Sequence, residues 1–560
     1  MSARTNQSSF KSFMSSGQPW VWMNGGAVAI SMIMVAGLLL LIAMRGLGHF
    51  WPKTVYEIEY DNGTRMVQIV GERVETEEVP RKRIVESGIK IDSDADMVER
   101  SLIKVGIREV LGVDFMLTVA PNEKSVSVPE DVLVLERTQW GNFYGFLTGV
   151  KESGQPVDVA KASLWEEMQF RLHRVKELRE RIEGIEKIKI GAINFQLEKL
   201  RLKKRGLELK SVTERKPYAQ IEAREDQYTR DYEILKEELD NLYRDIARDS
   251  ITARVMTGDE VEIKLANVVK AYRPNAMSLG EKIVFYIKTF WGFVADDPRE
   301  ANTEGGIFPA IFGTVVMVLL MSIIVTPFGV VAAIYLREYA RQGLITRLVR
   351  ISVNNLAGVP SIVYGVFGLG FFVYVVGGTI DELFYREALP SPTFGSGGVL
   401  WASLTLALLT VPVVIVATEE GLSRIPRSIR EGSLALGATK AETLWRTVLP
   451  MASPAMMTGL ILAVARAAGE VAPLMLVGAV KLAPSLPIDA NAPFVHLERK
   501  FMHLGFHIYD VGFQSPNVEA ARPLVYATAL ILVAVIVILN ISAIYIRNHL
   551  REKYRNLEEH

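Results

Sequence analysis

Six apolar stretches, at about residues 21–44, 308–336, 357–377, 398–417, 456–480 and 524–546, constrain this chain more than any other feature. Each is long enough to cross the ~30 Å hydrocarbon core of a bilayer at about 1.5 Å per residue. A backbone in lipid must satisfy its own hydrogen bonds, so runs of this length fold as helices. The expected fold class is an α-helical polytopic membrane protein. Charge is balanced, 63 basic against 63 acidic residues in 560, which leaves no cationic excess to hold nucleic acid. The absence of cysteine excludes disulfides and thiolate metal sites.

The first run follows a tail, residues 1–20, that carries Arg4 and Lys11 and no acid. It is too long for the apolar part of a secretory signal, and no small-residue cleavage site follows Arg45, so residues 21–45 read as an uncleaved first span. Positive charge then sets the topology. Arg337, Arg341, Arg347 and Arg350 follow the second run. Arg424, Arg427, Arg430, Lys440 and Arg446 follow the fourth, and Arg547, Arg551, Lys553 and Arg555 the sixth. The loop after the third run instead carries Asp381, Glu382 and Glu387 against Arg386. Both terminal tails, 1–20 and 551–560, and the loop 418–450 are therefore expected in the cytoplasm, with residues 46–305 outside.

From residue 46 to about 305 the sequence turns polar. Tyr56, Ile58 and Tyr60 alternate with Glu57 and Glu59, and Asn62-Gly63 supplies a tight turn into residues 66–70, a β-hairpin pattern. More strands are expected within 126–150, 252–256 and 261–265. Leu164, Met168, Leu172, Val175, Leu178, Ile182 and Ile185 recur at steps of three and four. Ile221, Tyr228, Tyr232, Leu235, Leu239, Leu242 and Ile246 make a similar stripe after Pro217. The expectation is an extracytoplasmic α+β domain bearing a long antiparallel coiled-coil hairpin, about 162–249, joined near Lys216-Pro217 and projecting from a β-base. Its other faces carry Glu, Lys and Arg, the pattern of a solvated coiled coil, with a docking surface as the alternative. The aromatic content of residues 283–293 marks an interfacial helix.

Two polar features stand within the apolar part. In residues 431–450, Gly437 reads as the turn between two short helices, Thr439 as a cap to which Glu442 reaches back, and Pro450 as the stop before the next span. Such a helix-turn-helix suits docking into a partner at the inner face; plain connecting structure is the other reading. The fifth run holds Arg466 and Glu470. An arginine at mid-membrane costs about 2.5–3.5 kcal/mol on insertion scales, so it must face protein or a wet cavity. Glu470, four residues on, shares its helical face and can pair with it. Gly459, Ala463 and Ala467 form a small-residue stripe for close helix packing. A structural ion pair, or a cation lining an anion path with Glu470 orienting it, are both open on these residues. His496, His503, His507 and Asp510 read as residues of a membrane rim rather than metal ligands.

Glu431, Gly437, Leu449 and Pro450 fall in register with the loop by which ABC importer permeases seat in their ATPase. Gly432 and Ser433 stand where that pattern has two alanines, and Thr447 where it has isoleucine. Together with Asn355-Leu-Ala-Gly-Val-Pro360-Ser361-Ile-Val-Tyr364-Gly365 and Ala465-Arg466-Ala-Ala-Gly469-Glu470-Val-Ala-Pro473-Leu474, the chain resembles PstA-type permeases of the phosphate-specific ABC importer. The Ala472-Pro473-Leu474 continuation favours the PstA over the PstC type. The outer-surface helix at 501–509, before the last span, is also similar. The resemblance spans roughly residues 306–550, and the extra region 46–305 is similar to that of enlarged members.

This resemblance implies an ABC permease domain of five spans, 306–550, in a six-span protein of the bacterial inner membrane. It implies that Glu431, Gly437, Ala438, Leu449 and Pro450 couple to the ATPase, and that Arg466 and Glu470 line the phosphate path. The partners implied are a PstC-type second permease subunit, two PstB-type ATPase subunits, a periplasmic PstS-type phosphate-binding protein and the lipid bilayer. The chain has no G-x-x-x-x-G-K-[ST] loop. ATP is expected on the ATPase, with no cofactor and no catalysis in this chain. The alternatives are an envelope adaptor or sensor acting through the hairpin, and a permease for another oxyanion such as sulfate.

Overall fold

The computed structural model describes residues 16–555, apart from 87, 92–94, 107, 516 and 517. Most of the tail 1–20, with Arg4 and Lys11, and residues 556–560 lie outside them. Among the described residues six helices are long and apolar enough to cross a membrane: Gln18–Gly48, Phe308–Tyr339, Ser361–Phe384, Val399–Arg424, Lys440–Gly469 and Ala521–His549, spans one to six. Span one is exposed along nearly its whole length. It crosses span six at Gly46, where a Cβ would lie 2.9 Å from the Tyr526 carbonyl, so only glycine permits that approach. Spans two to six form a bundle around span four, which buries 67% of its most apolar window. Thr405 and Thr410 lie within that core and donate to the Trp401 and Leu406 carbonyls one turn back at 2.7 and 2.8 Å, so neither hydroxyl is left unpaired.

The polar region is built on two antiparallel sheets. Strands β1 (Val55–Asp61), β2 (Met66–Pro80), β3 (Met97–Lys104), β4 (Phe115–Val119) and β5 (Glu123–Ser127) make the first, in the order β4-β3-β2-β1-β5. Strands β6 (Val132–Arg137), β7 (Asn142–Glu152), β8 (Gln155–Pro156), β9 (Asp249–Arg254), β10 (Glu260–Lys264) and β11 (Val268–Tyr272) make the second, in the order β10-β9-β7-β6-β11 with β8 on β7. The β1–β2 hairpin forms as its alternation predicts. Asn62 Oδ1 accepts the Thr64 and Arg65 N–H groups at 3.0 and 2.9 Å, and Gly63 takes φ +82°.

The helical hairpin departs from expectation in two ways. Its first helix runs through Leu164–Glu183, a π-helical stretch Gly184–Ile190, and Gly191–Leu209, and its second is Arg215–Ile246. The turn is therefore at residues 210–214, and Pro217 sits in the first helical turn, where its missing N–H forfeits no bond. Nor does the hairpin project freely. Leu164, Met168, Leu172 and Val175 are buried in the core shared with both sheets. Farther along, the first helix packs on the Arg386–Ala388 turn between spans three and four. Phe195 meets the His496 ring edge-on at 5.8 Å, and Lys187 pairs with Asp297 at 2.5 Å. The uncharged run Gly191-Ala-Ile-Asn-Phe195 interrupts the charged surface where this contact is made.

Asp249 ties the hairpin to β9. It is fully buried and accepts from Arg171 at 2.6 Å, Arg174 at 2.9 Å and Arg248 at 3.1 Å. Burial pushes its carboxyl up, but the Arg248 and Arg171 guanidiniums outweigh that and hold it below the ordinary carboxylate value. Asp249→Ala is expected to destabilise the fold by about 3 kcal/mol, read as earlier thermal unfolding of the purified chain, because buried Arg171 loses its closest partner. In the wild type this contribution is complete above about pH 4, the range of an unfolded aspartate. It is lost as pH falls through the depressed folded value.

Candidate functional site

Spans three and five are both preceded or followed by a break. Pro473 has no N–H, and in a continuing helix its ring would strike the Gly469 carbonyl. Span five accordingly ends at Gly469, Glu470 takes φ −80° and ψ 129°, and a separate short helix follows at Ala472–Val477. The single span expected over 456–480 is thus two helices, and the main one starts earlier, at Lys440. Span three begins at Ser361, not 357. A separate helix, Leu344–Leu356, precedes it, with a turn at 357–360 closed by Pro360.

The two breaks meet. Gly365 packs against the second, where a Cβ would lie 2.7 Å from Pro473 Cα. Tyr364, buried, donates its hydroxyl across the first to the Leu356 carbonyl at 2.5 Å. Irregular backbone among membrane helices persists where it is buried in protein or lines a wet cavity. Arg466 lies beside this junction in the last turn of span five, its Nε 3.5 Å from Glu470 Oε1. The expected pair therefore forms, although not on one helical face, because Glu470 has already left the helix. The side chains keep 34% and 20% of their surface open, so the pair is not sealed in a core. Among the described residues the terminal guanidinium nitrogens make no hydrogen bond, which leaves donors free for an anion.

Toward the far end of span four, a cleft of about 460 Å³ is lined by Asn354, Pro412, Val416, Glu420 and Leu462, the last one turn of helix from Arg466. Span five closes on span four through the predicted small residues. A Cβ on Gly459 would lie 2.5 Å from that of Ala417, and Ala463 and Ala467 are fully buried. Asn354, Tyr364 and Glu420 carry no assigned role in the sequence reading. The proline after a short turn at 357–360 is the signal that would have pointed to the first two.

At the other end of span five, a helix Arg427–Ala435 is followed by Gly437 at φ +87° and by Thr439, which caps the next helix with Glu442 in a reciprocal box. Pro450 does not stop the chain as expected. The π-helical stretch Leu444–Val448 precedes it within span five, and the wider turn absorbs the missing N–H. Leu449 is buried, beside a small core of Leu422, Ile425, Leu444, Val448 and Ala452. Arg430 pairs with Glu338 at 3.0 Å, and Lys440 bonds the Glu338 carbonyl while standing 4.7 Å over the Tyr339 ring. On the outer side Glu431 and Gly437 are exposed, Ala438 is half-buried, and Leu436 is 92% exposed beside Leu434. Of the five residues expected to couple, Glu431 and Gly437 thus face outward and Ala438 partly so, while Leu449 and Pro450 form part of the span itself.

The histidines stand apart. Of the helix expected at 501–509, Leu504–Tyr509 is helical, with Leu504, Gly505 and His507 buried and the Leu504 N–H on Thr314 Oγ1 at 2.9 Å. Burial pushes His503 down to about 3 and His507 to about 4, so both are neutral at pH 7. His496 lies between Asp489 at 3.1 Å and Glu498 at 3.3 Å.

A family profile described as binding-protein-dependent transport system inner membrane component matches residues 325–556, which takes in the loop 431–450, both breaks, Arg466 and Glu470. The phosphate transport system permease protein PstA 1 of Mycobacterium tuberculosis is 34% identical over 245 residues, covering 43% of this chain and 71% of that protein. The chain belongs to the PstA permease family. PstA of Yersinia pestis is 36% identical over 184 residues, covering 33% of this chain and 56% of that one. The likeness extends to the permease protein PstC of Xylella fastidiosa, 32% identical over 214 residues, which covers 36% of this chain and 64% of that one. As a PstA-family permease the chain is a transport subunit, not an enzyme, with the multi-pass membrane architecture that its six apolar helices form.

Proposed function

We propose that this PstA-family chain forms half of the translocation path of an ATP-driven importer of inorganic phosphate. One observation carries the mechanism: span five is a single helix of 30 residues, Lys440–Gly469, with the exposed loop at one end and Arg466 at the other. Force applied at Gly437 and Thr439 reaches the break between Glu470 and Pro473 through about 45 Å of continuous helix. The free guanidinium nitrogens of Arg466 offer a transient charge-assisted contact to a phosphate oxygen. Glu470 orients them and opposes tight capture of an anion, so release stays fast.

In this reading loop 418–450 and both termini are cytoplasmic, and residues 46–305 lie outside the bacterial inner membrane. The companions are a PstC-type permease, two PstB-type ATPases that bind ATP, and a PstS-type periplasmic binding protein, to which most selectivity belongs. The test is uptake of radiolabelled phosphate and of radiolabelled sulfate into cells whose sole permease of this kind is the tagged chain, with its copurifying proteins identified. Phosphate uptake that tracks an ATPase and a second permease in the purified complex is expected. Sulfate uptake alone would reassign the substrate. A chain that copurifies with envelope proteins and drives neither would make it an adaptor. Because the sequence has no cysteine, Leu436→Cys also gives a single label, which an impermeant maleimide should reach only in inverted vesicles.

A further inference from the structure

A second cavity, about 220 Å³ and sharing no lining residue with the cleft near Leu462, lies where the sheets meet the ends of spans one and six and the helix Leu279–Ala295. That helix begins with a capping box, Ser278 with Glu281, and exposes Ile283, Ile287 and Trp291 in one stripe, the form of a helix lying at a membrane surface. The cavity's apolar wall includes Phe50, Phe285 and Leu524, and its polar wall carries Lys53, Lys104, Lys270 and Arg299. Facing them are the carboxylates of Glu72, Glu136, Asp296 and Glu304.

The ion pairs here are incomplete. Glu136 takes both Lys270, at 3.8 Å, and Arg299. Strand β12 (Pro298–Arg299) pairs with β13 (Glu304–Gly305) so that Arg299 stands opposite Glu304. Yet Arg299 turns away to Glu136, and three buried polar atoms on the cavity wall are left without a hydrogen-bond partner: Arg299 Nη1, Glu304 Oε2 and Thr289 Oγ1. Likewise Lys104 lies opposite Glu72 in the β2–β3 register, but among the described residues neither Lys104 nor Lys53 has a carboxylate within 4.0 Å. Burial pushes Glu304 up to about 7, against the pull of Lys104, and pushes His49 down to about 4, aided by Lys53 and Lys104. When Glu304 is protonated, four cations face three carboxylates, and the Glu304 hydroxyl becomes a further donor. Unpaired buried polar atoms cost about 1–3 kcal/mol each, so a wall with three of them is built to be filled.

We propose that this cavity is a binding site for a phosphate group, held by Lys53, Lys104 and Arg299 Nη1, separate from the translocation path. Its volume suits one such group with water. The same chemistry is offered by the headgroup of an anionic phospholipid, since the cavity wall includes the ends of spans one and six, and by free inorganic phosphate, for which the site would act as a sensor on the sheet domain. The proposal does not rest on the transport role of Arg466.

The experiment uses the full chain purified in detergent, carrying Arg466→Ala so that the path itself contributes nothing. Native mass spectrometry with phosphatidylglycerol reads a retained lipid, and equilibrium dialysis against radiolabelled inorganic phosphate reads the free ion. Saturable binding in one of the two is expected, weakened about tenfold by each of Lys53→Ala and Lys104→Ala. Lys199→Ala, on the hairpin, should leave it unchanged. Lipid that inorganic phosphate cannot displace identifies a headgroup site; phosphate binding to lipid-free chain identifies the ion. If the alanine variants do not elute as folded protein, Lys104→Gln with unaltered thermal unfolding replaces them. Binding in neither arm, or binding that ignores the lysine substitutions, overturns the proposal.

Discussion

Arg466→Ala is expected to cut phosphate uptake by about 10- to 100-fold while the chain stays folded and in its complex. A charge-assisted hydrogen bond contributes about 1.5–3 kcal/mol, and each 1.4 kcal/mol is a factor of ten. Assembly should survive because, among the described residues, the ion pair Arg466 makes is to Glu470, at 3.5 Å, and its side chain is one-third open. Arg466→Lys keeps the charge but not the planar fork, and should fall between the two. A purely structural pair predicts something else. Replacing both members of such a pair by apolar side chains is commonly neutral or stabilising. Arg466→Met with Glu470→Met should then transport as well as the wild type, whereas a substrate-facing arginine leaves the double variant folded and inactive. Uptake by the double variant at the wild-type rate would remove Arg466 from the path.

What the sequence made legible follows from how local each signal is. Six apolar runs, the Asn62-Gly63 turn and the Thr439/Glu442 cap depend on neighbours in the chain, and all three appear in the fold. Pro473 carried an equally local signal for ending span five at Gly469, but the apolar run on either side of it masks the break. β3 and β4 were missed because β3 mixes Glu99 and Arg100 with its apolar residues and β4 is only five residues long. The meeting of the two breaks was not legible at all. It brings Gly365 against Pro473, more than 100 positions apart, and its cause is a missing Cβ that acts only once the helices are packed. The hairpin's rest on the Arg386–Ala388 turn is of the same kind: its heptad stripe predicts a helix pair, not where that pair lies.

Gly437→Trp should abolish uptake, and with it recovery of the ATPase on purification, without unfolding the chain. Gly437 sits at φ +87° and a Cβ there would meet nothing within 4 Å, so a side chain leaves the backbone into open space. The backbone penalty for an L-residue in that region is about 1–2 kcal/mol, tolerable in a loop anchored by Arg430, Lys440 and the Leu444 cluster. An indole beside Leu436 would instead stand on the exposed face proposed to meet the ATPase, and hold that partner away. Gly437→Asn separates the two effects, since asparagine accepts positive φ with a small polar side chain and should retain most of the uptake. If Gly437→Trp kept both the ATPase and the uptake, force would have to enter elsewhere, and the continuous helix from Lys440 to Arg466 would be a strut and not a lever.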